Sequence, residues 1–231
     1  MTKTASILVA ASAPLVVLAF WPMYLSRPLA SIDRYTHLHA VAGTLWFGLL
    51  IAQPLLIYRG GYTLHRAVGR TSYVLAPLFL AAGILLSHHR LVSMDDATFA
   101  AEGYSHFLPF YGTVVFAAAY SLGLCYRDLP DAHGRFMLLT LIPLIDPVIG
   151  RVMFFYFPSL PHPLLYQGVT FSLATVAAAA LVFSYKGPTA PRRALFGYFV
   201  LLVTLEVAWF TLTRTDTWVN AVAWFRSLPL T

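Results

Sequence analysis

Charge is scarce in this sequence: 10% of its 231 residues are Asp, Glu, Lys or Arg, against about 25% in soluble domains. With 59% of the residues hydrophobic, that scarcity excludes an ordinary soluble domain and points to a chain solvated by lipid. There is a single cysteine, Cys125, so an internal disulfide is excluded. Lysine occurs only at Lys3 and Lys186, neither within the last apolar run, which excludes a retinal Schiff base there. A His-Glu-x-x-His zinc motif is missing. The net charge of +6 comes from short loops, so it reports orientation and contact with anionic headgroups, not nucleic acid.

What is abundant is apolar sequence in helix-length runs. Seven stretches come near the ~20 residues that span a bilayer: 5–25, 35–58, 68–88, 104–126, 135–157, 164–185 and 195–212. The chain therefore reads as an all-α integral membrane protein, one membrane domain over 1–231, with 216–228 as an interfacial helix carrying Trp218, Val222 and Phe225 at helical spacing. The start resembles a signal peptide, but the apolar run continues to Tyr24 with no small-residue cleavage site, so a retained first span is expected. A polar loop is expected from Arg90 to Gly103. The loops after spans two, four and six hold Arg59, Arg66, Arg70, Arg127, Arg135, Lys186, Arg192 and Arg193, and the opposite loops only Arg27, Arg34 and Arg90. This bias predicts a cytoplasmic N-terminus and an outer C-terminus. Short loops and compact size suit a bacterial inner membrane.

The polar landmarks recur. His37, Gly43-Thr44, Tyr58-Arg59, His65 and Pro77 are answered in the same order by His106, Gly112-Thr113, Tyr126-Arg127, His133 and Pro143. The offset is 69 at the first histidine and glycine, 68 at the tyrosine and second histidine, and 66 at the proline. A duplicated two-helix unit, spans 2–3 and 4–5, is the reading.

The histidines separate by depth. His37, His39, His88, His89, His106 and His162 fall at the outer level, His65 and His133 at the inner. Below His37 on the same helix face lie Thr44 and Gly48, and below His106 lie Thr113 and Ala117. A small residue there leaves room for a flat group or simply for close helix packing. His39 points away from His37 and reads as a surface residue or an alternative ligand. His37, His39, His88, His89 and His106, with Asp95, Asp96 or Glu102, supply donors for a divalent Zn, Fe or Cu ion. A His-His pair at a helix end equally serves as a solvated cap. His162, between two prolines, carries little functional signal. At the inner level Arg66, Arg70 and Arg135 beside the histidines suit a propionate or phosphate, or anionic lipid. Asp146, Arg151 and Glu206 are ionisable groups within apolar spans, where they mark a function or a partner. Pro143 and Pro147 bracket Asp146 and predict a kink, and the five residues from Asp146 to Arg151 are a poor helical spacing for direct contact.

Histidines on spans two and four at one level, and on three and five at the other, resemble the cytochrome b561 class of di-haem membrane proteins. The resemblance covers about residues 35–157. It implies b-type haem held by His37 with His106 and by His65 with His133, and electron transfer linked to a quinone or another redox partner. The runs His65-Arg66-Ala67-Val68-Gly69-Arg70 and His133-Gly134-Arg135 also resemble uncharacterised bacterial membrane-protein families, which imply no function. His65 and His133 lie at the very edge of their spans, where the cytochrome class buries its ligands deeper, and His37 is similarly shallow. Two other readings stand beside electron transfer: a metal-dependent membrane enzyme using the outer histidines, and a proton-coupled transporter using Asp146, Arg151 and Glu206.

Overall fold

The computed structural model describes residues 2–159 and 163–231, so His162 lies outside the described residues. The helices are α1 (Thr2–Phe20), α2 (Arg34–Tyr58), α3 (Tyr62–Gly69), α4 (Ser72–Val92), α5 (Asp96–Glu102), α6 (Phe107–Cys125), α7 (Pro130–Leu139), α8 (Ile142–Tyr156), α9 (Pro163–Phe183), α10 (Thr189–Leu212) and α11 (Asp216–Arg226). No strand occurs among the described residues. Among the described residues, six segments are long and apolar enough to cross a membrane: Arg34–Tyr58, Tyr62–Val92, Asp96–Cys125, Pro130–Tyr156, Leu164–Phe183 and Thr189–Leu212. Val9–Leu25 is a shorter apolar helix, whose last turn, Trp21–Leu25, widens to a π turn at Pro22.

The long helices close a ring. Each packs on the next in the order α1, α2, α4, α6, α10, α9, α8 and back to α1, and α6 also touches α8 across it. Two apolar clusters fill the ring. Trp46, Leu50, Ala76, Phe116 and Tyr120 form one around α2, α4 and α6. Tyr111, Val115, Phe136, Phe171, Leu195 and Leu202 belong to the other, around α6, α7, α9 and α10. Trp46 Nε1 donates to Thr140 Oγ1 at 3.1 Å and Tyr120 donates to Ser72 Oγ at 3.2 Å, tying the sides together.

Three boundaries differ from those expected. The third and fifth spans begin earlier, at Tyr62 and Pro130, and each is broken into a short and a long helix. His65 and His133 therefore sit inside α3 and α7, not at the mouth of a loop. Their polar runs of His, Gly and Arg lower the hydropathy without forbidding helix, and Pro130 at the first helical position favours it. The second break falls at Thr140–Leu141, before Asp146, because the Pro143 ring clashes with the Leu139 carbonyl and has no N–H to offer it. That freed carbonyl accepts the Tyr198 hydroxyl at 3.2 Å instead. At both breaks a threonine hydroxyl bonds back three residues, Thr71 to Val68 O at 2.7 Å and Thr140 to Met137 O at 2.6 Å. Finally, the connection expected as a polar loop contains α5, capped by Asp95, whose carboxylate accepts the Thr98 N–H at 2.8 Å.

Candidate functional site: two carboxylates held by one helix

α8 brings Asp146 against α9. The Asp146 Oδ1 accepts from Gln167 Nε2 at 2.7 Å and from Thr170 Oγ1 at 2.8 Å. Five residues further along α9, and so on a different side of it, Thr175 donates a short hydrogen bond to Glu206 Oε2 on α10. The other oxygen, Oε1, accepts the Tyr111 hydroxyl of α6 at 3.2 Å. Glu206 is 5% exposed, and Gln167 and Thr170 are buried with it. Four helices thus converge on the two carboxylates.

α9 is built to do this. Gln167 and Thr170 share a face at i, i+3, and Phe171, Ala174, Ala178 and Val182 continue the buried stripe. The small Ala174 and Ala178 admit close helix approach. Sequence reasoning found Asp146 and Glu206 from their charge, but missed Tyr111, Gln167, Thr170 and Thr175. Their signal was weak: hydroxyls and one amide within apolar helices, with nothing local to say which way they face.

Arg151 does not neutralise Asp146 by contact. No ion pair joins them among the described residues. Arg151 Nη1 instead donates to the Pro147 carbonyl at 2.8 Å, and its guanidinium lies 4.8 Å from the centre of the Phe20 ring. The spacing of five residues on α8 turns the two side chains apart, yet Arg151 stays within electrostatic reach of both Asp146 and His39.

The histidines do not converge. Among the described residues no three His, Cys, Asp or Glu side chains are placed to hold a metal ion. His37 is bonded at both ring nitrogens, to the Tyr24 hydroxyl at 3.0 Å and the Leu29 carbonyl at 2.9 Å, so it fastens the 21–31 connection. His39, expected at the surface, stacks on Phe79 at 4.8 Å in the seam between α2 and α4. Gly83 faces this ring, where a Cβ would stand in ordinary contact with it at 3.4 Å. His88 is fully buried, with Nδ1 2.7 Å from Thr231 Oγ1 and its ring edge-on to Phe225. His89 lies by Tyr35, 4.0 Å from Asp33. The His106 Nδ1 is buried with no hydrogen-bond partner among the described residues.

An axial haem histidine presents Nε2 while an acceptor holds its Nδ1–H. His133 is held so, its Nδ1 2.8 Å from the Gly123 carbonyl. His65 is not: with its amide oriented to satisfy its neighbours, Gln53 donates to His65 Nδ1 and accepts the Gly69 N–H at 3.1 Å. That bond leaves the proton on Nε2. The four histidines therefore do not fit as two alike ligand pairs, although His65 and His133 are near enough to interact electrostatically. Around them the arginines differ. Arg66 and Arg70 are exposed, while Arg135 is 7% exposed and bonds Asp131 at 3.0 Å, the Leu181 carbonyl and Ser184. Asp95, Asp96 and Glu102 flank or lie in α5, and Asp96 pairs with Arg226 at 3.1 Å.

No protein-family profile, curated protein or solved structure matches this chain.

Proposed function

We propose that this chain is a proton-coupled membrane transport protein in which Asp146 and Glu206 carry the proton. The observation behind this reading is the arrangement of the two carboxylates. They sit on separate helices and both take donors from α9, Gln167 and Thr170 for Asp146 and Thr175 for Glu206, while Tyr111 caps Glu206. A carboxylate locked to arginine by a bidentate ion pair is committed to one charge state. These two are held by groups that rotate and exchange their hydrogen bonds, which suits binding and release of a proton. Tyr198, two turns along α10 towards the His65 end, adds a hydroxyl on that side. Trp209, one turn the other way, adds a buried indole N–H without a partner among the described residues.

In this reading Val9–Leu25 completes a seven-span bundle, and 37–77 and 106–143 are copies of one two-helix unit in the same orientation, as in transporters with parallel repeats. The basic loops place the His65 end in the cytoplasm of a bacterial inner membrane, with the N-terminus inside and the C-terminus outside.

The test is an acid pulse applied to proteoliposomes with a pH-sensitive dye inside. Asp146→Asn and Glu206→Gln are expected to slow proton entry on the order of a hundredfold, the range lost when a positioned proton-transfer group is removed. Thr175→Val separates relay from scaffold. As a structural contact it is worth about 0.6 kcal/mol, so a several-fold loss of flux with near-parental stability supports the relay. Parental flux in Asp146→Asn and Glu206→Gln would sink the reading.

A second reading, electron transfer through b-type haem, rests on the geometry of His133 alone. A Soret band in the purified protein that is lost in His133→Ala would favour it.

A further inference from the structure

Where α9 hands over to α10, the chain makes a cavity of about 370 Å³ lined by Val182, Phe183, Tyr185, Arg192, Arg193 and Phe196. Its two walls differ in chemistry. Phe183 ends the span Leu164–Phe183, and Phe196 lies seven residues into the span that starts at Thr189, about 10 Å deeper at the rise of a helix. Both rings are exposed, at 61% and 52%, and they meet edge to face with centroids 6.4 Å apart. This wall faces the hydrocarbon.

The cationic part of the lining lies one turn above Phe196 on the same helix, at the start of the span. Arg192 and Arg193 lie in the first turn of α10, and neither is in an ion pair among the described residues. Contrast Arg135 close by, which is consumed by Asp131, Leu181 and Ser184 and lies over the Tyr185 ring, 5.4 Å from its centre. The α10 N-terminus adds its own positive end. Its cap residue is Pro188, with no side chain to satisfy the first amides. Two guanidinium groups outside any ion pair and an apolar wall immediately below them line one continuous site.

We propose that this cavity binds an anionic phospholipid, its phosphate on Arg192 and Arg193 and an acyl chain along Phe183 and Phe196. The apolar wall selects a lipid over a free phosphate. A soluble anion would use the arginines alone and leave the two exposed rings without a role, whereas a phospholipid matches both walls at the depths where they occur. Tyr185, fixed from behind by Arg135, closes the headgroup side.

The experiment uses the full chain reconstituted in mixed phosphatidylglycerol and phosphatidylcholine, re-extracted in mild detergent, with retained lipid counted by mass spectrometry. The parent is expected to keep phosphatidylglycerol over phosphatidylcholine. The exposed double substitution Arg192→Ala with Arg193→Ala is expected to reduce that retention by roughly thirtyfold, as two surface arginines near a charged leaflet imply. Phe196→Glu is expected to reduce it as well, and Arg59→Ala, another basic loop residue, to leave it unchanged. Parental retention in the double variant, or an equal loss in Arg59→Ala, would overturn the proposal. Glycerol phosphate and inorganic phosphate provide the second arm. Binding of either without acyl chains, as tight as the lipid and lost in the same double variant, would overturn the lipid assignment and make this a soluble-phosphate site.

Discussion

Align the stretch from His37 to Leu85 with the stretch from His106 to Arg151, and the scaffold matches better than the chemistry. Each has a long helix, a short helix carrying a histidine, a break marked by a back-bonded threonine, and a second long helix. The matched glycines differ in need: a Cβ at Gly43 would press on the Phe79 ring at 3.1 Å, whereas one at Gly112 would meet Pro143 at an ordinary contact distance of 3.5 Å. Beyond the proline the two part. Three residues after Pro77 stands Leu80, and three after Pro143 stands Asp146; eight residues on stand Leu85 and Arg151. Beyond the proline, a carboxylate and a guanidinium enter only the second stretch, where hydroxyl and amide groups of α9 await Asp146 and the Pro147 carbonyl accepts from Arg151. A charge within a bilayer is tolerated where a neighbouring helix supplies its partners, and α4, packed mainly on α2, has no such neighbour.

Erasing the difference gives the largest effect. Asp146→Leu converts the second stretch into the first at that position, and proton flux is expected to fall on the order of a hundredfold. Leu80→Met, a volume-conserving change in the first stretch, is expected to leave flux within about twofold. Unequal loss measured in the same liposomes checks both.

The arginines give the next largest contrast. Arg135→Ala removes a buried guanidinium with three partners, and a loss of about 2–3 kcal/mol is expected from charge-assisted hydrogen bonds. Arg70→Ala, on an exposed residue, is expected to cost less than about 0.5 kcal/mol. Denaturant titration in mixed micelles distinguishes them, and equal losses would mean that the burial of Arg135 carries no weight.

The smallest effect concerns how each long helix starts. Asp33 caps α2 by accepting the Tyr35 and Thr36 amides at 3.0 and 2.9 Å, whereas α6 follows a tight turn with no side-chain cap. Burial works to raise the Asp33 carboxyl. The Thr36 amide and hydroxyl, with the charges of His89 and Arg90, outweigh it and hold the group below its ordinary value of 3.8. A lowered carboxyl stabilises the fold fully above its unfolded value and loses that contribution as pH falls through the folded one. Asp33→Ala is expected to cost at most about 1 kcal/mol at neutral pH, reduced by solvent at a side chain 33% exposed. Melting followed from pH 6 down to pH 3 should show the gap between parent and variant closing; a constant gap would contradict the charge contribution.

The sequence was most legible where the solvent itself writes the pattern. Apolar runs mark the long helices because each must present a hydrocarbon surface. The short helices α3 and α7 were hidden, because His65, Arg66, His133 and Arg135 make them read as loop although their backbones are helical. Asp146 and Glu206 stood out by charge alone. Their partners did not: whether Thr170 and Thr175 face the core or the lipid depends on how α9 is rotated against α8 and α10, which no local pattern records. His37 misleads in the opposite sense. As a residue type it suggests a ligand, and only the path of the 21–31 connection shows both its nitrogens engaged.

The most direct measurement is infrared difference spectroscopy of the purified protein in lipid, stepped across pH. If Asp146 and Glu206 exchange a proton, a carboxylic-acid carbonyl band appears and disappears with pH, shifts in deuterated water, and loses one component in Asp146→Asn and another in Glu206→Gln. A carbonyl region unchanged by pH, or by either substitution, would contradict the account.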